Sequence, residues 1–345
     1  MTSSGYRENP PGGLFLDPSD PVGLETHLRR HSVIVGGERL LSLARAGDGN
    51  MNCVVRASTS TRSLIVKQSR PWVEKYPQFT APADRACREI EFYRQVAGVP
   101  GVADRMPRLI FADPEARLLV LEDLGPGGDY SGIYRGDLFR ETEMEHLADF
   151  LTRLHSLERS EGLPAGFLAN REMRALNHAH IYEIPLQREN GLDLDGIEPG
   201  LGLLARELQE DRDLLATVHR IGREAYLADG PCLLHGDFFP GSIVRTAGGP
   251  KVIDPEFAHY GYREYDLAIL IAHLSLGRQP AHLAPVLLAR YRPPSPLDLQ
   301  LLRQLAGVEI LRRILGYAQL PQDWTPGTRA ELLGMARRWI LTGRE

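Results

Sequence analysis

Lysine is nearly absent from this 345-residue chain: of 40 basic residues only Lys67, Lys75 and Lys251 are lysines. An Arg-rich, GC-rich coding bias accounts for the general pattern. Its use is that a lysine inside an apolar strand becomes conspicuous. Cysteine is also scarce. Cys53, Cys87 and Cys232 lie far apart and form no CxxC pair, which excludes a disulfide frame or a cysteine zinc site and suggests reduced thiols in a cytoplasmic setting. Positive charge is not in excess. A net charge of −5 excludes a general nucleic-acid binder. No long apolar run exists either; the longest, 267–276, is interrupted by His273 and is too short to span a bilayer, so no membrane partner is expected. The first 20 residues are polar and rich in Pro and Gly, without a basic start and apolar core. They read as a loose tail and not as a signal peptide.

What is present is a globular composition, 43% hydrophobic and 25% charged. Runs rich in Val, Ile and Leu at 39–46, 52–58 and 63–69 are separated by turn residues, the pattern of an antiparallel meander. Residues 83–97 have helical spacing, and two further strands follow at 108–112 and 117–122. The Gly-rich segment 124–128 is the clearest break in the chain. Beyond it helices dominate, at 138–158, 201–227, 264–275, 297–318 and 326–342, with short strands near 231–234, 242–245 and 251–254. The reading is α+β and bilobal: a tail at 1–20, a small antiparallel-sheet N-lobe at 21–123 and a larger, mostly helical C-lobe at 124–345. Gly200-Leu-Gly202 imitates a dinucleotide-binding spelling. It follows an acidic loop instead of a strand, so it marks a helix start.

The most informative segment runs His235-Gly-Asp237, five residues to Ser242, then Val252-Ile-Asp254-Pro-Glu256. Each half is an apolar strand with a carboxylate at or past its end. The strands at 242–245 and 251–254 are joined by a turn at 247–250 and read as a hairpin. Phosphoryl transfer needs one carboxylate to orient the attacking hydroxyl and accept its proton, and another to hold Mg²⁺. The N-lobe supplies matching parts. The turn Gly47-Asp48-Gly49-Asn50 can aim N–H groups at phosphates, although Asp-Gly is also an ordinary hairpin turn. Lys67 is the only lysine inside an N-lobe strand, where a cation on the α- and β-phosphates of ATP is needed, and Glu89 or Glu91 on the following helix can pair with it, Glu89 being preferred. Backbone groups at Glu122 and Leu124 can face an adenine edge.

These motifs resemble the methylthioribose kinase branch of the aminoglycoside phosphotransferase/choline kinase-like superfamily, which has a protein-kinase-like fold. Carrying the resemblance are Gly47-Asp-Gly-Asn-Met-Asn52, Ile65-Val-Lys-Gln68, Asp84-Arg85-Ala86, His235-Gly-Asp237, Gly241-Ser242-Ile243, the run 252–261 leading to Asp266, and Arg312-Arg313-Ile-Leu-Gly316. The likeness covers roughly residues 35–340. It implies Asp237 as catalytic base, Asp254 and Glu256 as Mg²⁺ ligands with Ser242 assisting, and Lys67–Glu89 as an ion pair. It implies that Asp266 braces the catalytic loop and that Arg312 and Arg313 reach the acceptor, together with Phe79 where the family has a tryptophan. A homodimer is implied by the resemblance alone. Adjacent helix residues point about 100° apart, so one of the two arginines is expected to face the site. Two departures fall in the acceptor region: Phe239 and Pro240 stand where that branch has His and Thr.

Three readings remain at this point. The first is a sugar kinase acting on the anomeric hydroxyl of a 5-modified ribose. The second is an antibiotic-inactivating phosphotransferase, for which Glu141, Glu145, Asp193, Asp195 and Glu198 could form an acidic rim. The third is a non-catalytic pseudokinase, which would be expected to lack Lys67, Asp237 or Asp254.

Overall fold

The computed structural model describes residues 10–47, 49, 51–159, 166–293, 295–320, 324–325 and 327–344. Asp48 and Asn50 of the Gly-rich turn lie outside the described residues. The chain divides into two units: a small one of residues 1–128 with 251–256, and a large one of 129–250 with 257–345. The boundary expected at 123/124 thus falls a few residues later, and residues 251–256 group with the small unit.

The small unit begins with helix α1 (Pro21–Arg30), capped by Asp20, whose side chain accepts from the Gly23 N–H. Its sheet contains β1 (Leu40–Arg45), β2 (Cys53–Thr59), β3 (Ser63–Gln68), β6 (Leu109–Asp113) and β7 (Leu118–Glu122). The strand order is β1-β2-β3-β7-β6, antiparallel throughout. Between β3 and β6 lie a short hairpin, β4 (Trp72–Val73) with β5 (Tyr76–Thr80), and helix α2 (Arg85–Val96). Strand side chains alternate between faces. Val55, Ala57, Leu64, Val66, Leu118 and Val120 therefore share one face, which packs with Leu24 and Leu28 of α1. Lys67, one residue out of step with Val66, points to the other face.

The stretch 10–20 corrects the expected loose tail. Leu14 and Leu16 are buried in the same core. Leu16 N–H donates to Gln68 Oε1, and Gln68 Nε2 donates to the Leu14 carbonyl, both at 2.8 Å. Gly12, at φ +63°, lies so close to Ala116 that a Cβ would stand 2.5 Å from its backbone nitrogen. Pro and Gly here shape a close-fitting strap; polar composition alone did not reveal the two leucines as anchors.

The large unit is mostly helical. Its longer helices are α3 (Glu141–Leu154), α4 (Arg171–His178), α5 (Leu201–Glu210), α6 (Arg212–Ile221), α7 (Glu264–Leu276), α8 (Leu283–Arg290), α9 (Leu299–Leu315) and α10 (Thr328–Thr342). The single helix expected over 201–227 is interrupted because Asp211 leaves helical geometry and accepts from the Asp213 and Leu214 N–H groups, restarting the chain as α6. Helices α4 and α8 were not foreseen. Helix α9 is buried on nearly all sides, against α7 and α10. Strand β8 (Cys232–Leu234) pairs with β11 (His259–Gly261), a partner the sequence reading missed. The expected hairpin forms from β9 (Ile243–Thr246) and β10 (Gly249–Val252). Among the described residues no helix is long and apolar enough to cross a membrane.

If residues 10–20 are core, Leu16→Ala should lower the unfolding free energy by about 2–5 kcal/mol, the range for a fully buried leucine. Denaturant melting of the intact chain measures it, and a loss below about 0.5 kcal/mol would show that the strap is not packed.

Candidate active site

The small unit builds a charge cluster around Lys67. Its ammonium lies 2.7 Å from Glu89 Oε2 and 2.9 Å from Asp254 Oδ1. Lys67 is 2% exposed and Glu89 fully buried, whereas the Asp254 side chain is 45% exposed. Helix periodicity explains the partner: Arg85 and Glu89, four apart, are both on the buried face of α2. Glu91 points elsewhere and pairs with Arg88 at 2.7 Å, so of the two acids Glu89 is the one beside Lys67. Burial by itself would push the Lys67 pKa down. Asp254, then Glu89 and Glu256, outweigh it and hold the pKa above the ordinary lysine value. Burial pushes Glu89 up to about 7, with Lys67 opposing and Asp254 and Glu256 adding to the rise. The two directions are compatible. One ammonium faces three carboxylates, so it stays charged while the most buried acid is the easiest to protonate.

Glu256 is held by residues to which the sequence reading gave no role. Asn52 Nδ2 donates to Glu256 Oε2 at 2.7 Å, and Arg85 Nε donates to Asn52 Oδ1 at 2.8 Å. Arg85 Nε also lies 3.5 Å from Glu256 Oε2. Their signal was Asn52 closing the Gly-rich motif and Arg85 opening α2. Asp254 sits at φ +62°, in the left-handed region that asparagine and aspartate tolerate best among residues with a side chain. Formally, Lys67 and Arg85 face Glu89, Asp254 and Glu256, an excess of one negative charge. Such a hard-oxygen set with an exposed carboxylate fits Mg²⁺.

Elsewhere in the small unit, Gly47 lies at φ +73° with open space where a Cβ would stand. The Glu122 N–H is committed to the Arg108 carbonyl at 3.0 Å, so it is not available to an adenine. Asp123, missed in the sequence, accepts from Arg56 Nε (2.7 Å), Ser63 Oγ (2.6 Å) and the Gly125 N–H (3.0 Å). It thereby fixes the segment that carries Leu124. Phe79 is exposed on β5, against Tyr76.

In the large unit Asp237 follows β8 and is half-buried. The loop is set by Asp266, which is fully buried and accepts from the His235 N–H (2.8 Å), the Gly236 N–H (2.9 Å) and His155 Nε2 (3.1 Å). Gly236 is required at φ +84°, where a Cβ would stand 2.2 Å from the Phe257 carbonyl oxygen. Burial raises the Asp237 pKa above the usual aspartate value; Arg312 and Arg313 pull it down and Glu309 adds to the rise, burial winning.

The arginines depart from expectation. Both are buried, and both bond one carboxylate: Arg312 Nη1 to Glu309 Oε2 at 3.0 Å and Arg313 Nε to Glu309 Oε1 at 2.6 Å. Glu309 was missed, although Glu309-x-x-Arg312-Arg313 has the i, i+3 and i+4 spacing of helical ion pairs. One acid three and four residues away can gather two side chains that start about 100° apart. Burial alone would raise the Glu309 pKa, but Arg312 and Arg313, with a hydrogen bond from His273, outweigh it and hold it well below the usual range. Arg313 also lies over the Phe239 ring at 4.9 Å. Ser242 is buried, and its N–H donates to the Phe239 carbonyl at 2.8 Å. Most of the acids proposed as a rim have local duties. Asp193 caps Gly196, Asp195 accepts from the Gly200 and Gly202 N–H groups at 3.0 Å, and Glu198 pairs with Arg329. Glu141 stands 3.2 Å from His282.

Residues 42–307 match the phosphotransferase enzyme family. A methylthioribose kinase of Exiguobacterium sibiricum is 28% identical over 258 residues, covering 71% of this chain and 63% of that protein. The chain thus spans less than two thirds of that relative's length. Among solved structures, the choline kinase LicA of Streptococcus pneumoniae aligns with a TM-score of 0.53 at 15% identity, covering 92% of this chain and 98% of LicA. The spectinomycin phosphotransferase APH(9)-Ia, solved with ADP and spectinomycin, aligns at 0.56 and 12% identity, covering 93% and 97%. At these identities the structural matches speak to the fold, which is kinase-like.

Two charge-balance predictions follow from the clusters. Lys67→Met strands Glu89 without its cation and should cost about 3–5 kcal/mol in chemical denaturation, most of it recovered in the double variant with Glu89→Met. Full stability of the single variant would show that the pair is not locked. Glu309→Gln should cost a similar amount. Because the folded Glu309 pKa is depressed, that gap should hold level from pH 8 to about 5 and narrow only below about 4.3, as the unfolded-state glutamate protonates. A gap that widens on acidification contradicts the assignment.

Proposed function

Since this chain belongs to the phosphotransferase enzyme family, we propose that it is an ATP-dependent small-molecule kinase, acting on the anomeric hydroxyl of a 5-modified ribose such as methylthioribose. The observation that carries this reading is the Lys67 ammonium held by Glu89 and Asp254 at 2.7 and 2.9 Å, because a strand lysine fixed by a buried glutamate beside a partly exposed aspartate is the arrangement that ATP phosphates and their cation need. In this reading the small unit holds the nucleotide and the large unit the acceptor.

Lys67 is the cation for the α- and β-phosphates, with Glu89 fixing its position. Gly47 and Gly49 are assigned to the phosphates, with Asp48 and Asn50 of the same motif outside the described residues, and Leu124 to the adenine. Asp254 and Glu256 are the residues that would hold Mg²⁺, which when bound neutralises charge on the β- and γ-phosphates. Asn52 and Arg85 orient Glu256. Asp237 accepts the proton of the acceptor hydroxyl as its oxygen bonds to the γ-phosphorus and the bond to the β-phosphate oxygen breaks, releasing ADP. Arg312 and Arg313 exceed Glu309 by one positive charge and offset charge near Asp237. Phe239, under Arg313, gives the acceptor side an apolar wall in place of a histidine. Together these features suit a compact, uncharged sugar better than a polycation. An antibiotic acceptor stands second because four of the five rim acids are engaged in caps and ion pairs. Retention of Lys67, Asp237 and Asp254 argues against a pseudokinase.

Coupled ADP release against methylthioribose, 5-deoxyribose, aminoglycosides and nucleoside antibiotics tests the acceptor. Turnover is expected with the riboses, and phosphorus NMR should place the ester on the anomeric oxygen; turnover with antibiotics alone would reverse the ranking. Asp237→Ala should reduce kcat by about three orders of magnitude. The acid limb of kcat/KM should lie above the ordinary aspartate value, since burial raises the Asp237 pKa. Arg312→Gln removes a charge that lowers this pKa, so it should shift the limb to higher pH. A limb unmoved, or moved to lower pH, would falsify the base assignment.

A further inference from the structure

A second cluster of ligating side chains lies in the small unit, apart from the Lys67 site. His27 is in the last turn of α1 and His31 caps that helix, four residues on, so the two rings share one side of the helix end. Their centroids are 4.6 Å apart. Asp113 ends β6 and faces both: its Oδ2 is 3.1 Å from His27 Nε2 and 3.8 Å from His31 Nε2. All three ligand atoms lie within 4.8 Å of one another. The other Asp113 oxygen, Oδ1, accepts from the Ala116 N–H at 3.1 Å, which fixes the carboxylate in the β6–β7 turn.

His27 Nε2 supplies the observation that an ordinary ion pair leaves unexplained. The side chain is 4% exposed, and its Nε2 makes no hydrogen bond even though the Asp113 oxygen is 3.1 Å away. A buried ring nitrogen without a bonded partner is costly. Two ligands on one Zn²⁺, each about 2.0–2.1 Å from the metal, stand roughly 3–3.5 Å apart, which is the His27–Asp113 spacing. His31 is exposed and needs only a small side-chain rotation to close its longer gap. Two imidazoles and a carboxylate are the donor types of a Zn²⁺ site, and the exposed side leaves a fourth position for water.

We propose that His27, His31 and Asp113 form a transition-metal site, selective for Zn²⁺-type ions over Mg²⁺, that ties the end of α1 to the β6–β7 turn. Because α1 and the 10–20 strap cover one face of the sheet, metal binding stabilises that cover. The site is independent of the kinase reading.

Co²⁺ titration of the whole protein, in excess Mg²⁺ to fill hard-oxygen sites, tests it. One equivalent should produce the visible bands of low-coordinate Co²⁺, Zn²⁺ should abolish them, and Zn²⁺ should raise the Tm by several degrees. His31→Ala, at an exposed position, and Asp113→Asn, which keeps an oxygen for Ala116, should each weaken binding at least tenfold. Failure of the parent to bind one equivalent of Co²⁺ or Zn²⁺ overturns the proposal, as does undiminished binding by both variants. Circular dichroism of the metal-free variants confirms that any loss is local.

Discussion

A single ammonium buried among carboxylates organises the small unit. Lys67 cannot be taken from water without compensating charge, and Glu89 and Asp254 provide it from a helix and from a strand end far away in sequence. The cluster orients α2 against the sheet and draws residues 251–256 into the unit. Its formal excess of negative charge leaves it suited to a further cation.

The large unit solves the opposite problem. There two buried arginines, Arg312 and Arg313, share one buried carboxylate, Glu309, which neutralises one of them. Asp237 lies within that field, its ionisation opposed by burial and favoured by the arginines. Asp266 contributes geometry: by accepting two consecutive backbone N–H groups it holds the loop that presents Asp237, and the left-handed turn at Gly236 lets the chain pass Phe257. In each unit a fully buried acid, Glu89 or Asp266, positions other groups, while Asp254 and Asp237 are the more exposed acids.

Much of this was legible. Alternating apolar residues and turn spellings located the five-stranded sheet, because a strand with one covered face must repeat every second residue. Lys67 stood out because lysine is rare here. Glu89 could be preferred over Glu91, but only the packing of α2 settled which one is buried. The Gly/Pro-rich start misled, since Leu14 and Leu16 are too few to make a periodic signal. The break at Asp211 was hidden within an otherwise helical pattern. Helix α9 carried the i, i+3, i+4 triad Glu309, Arg312 and Arg313 in plain sight, yet helical geometry alone suggested diverging arginines.

The order of residues along the chain therefore determined the kinase-like architecture and the inventory of candidate groups: a strand lysine, a Gly-rich turn, His-Gly-Asp, and a carboxylate pair after an apolar strand. Tertiary structure decided which groups meet. Asn52 bonds Glu256 across 204 positions, and Lys67 bonds Asp254 across 187. Local periodicity carries no information about such contacts. They exist because burying charge is tolerable only where an opposite charge or a hydrogen bond arrives from elsewhere in the chain.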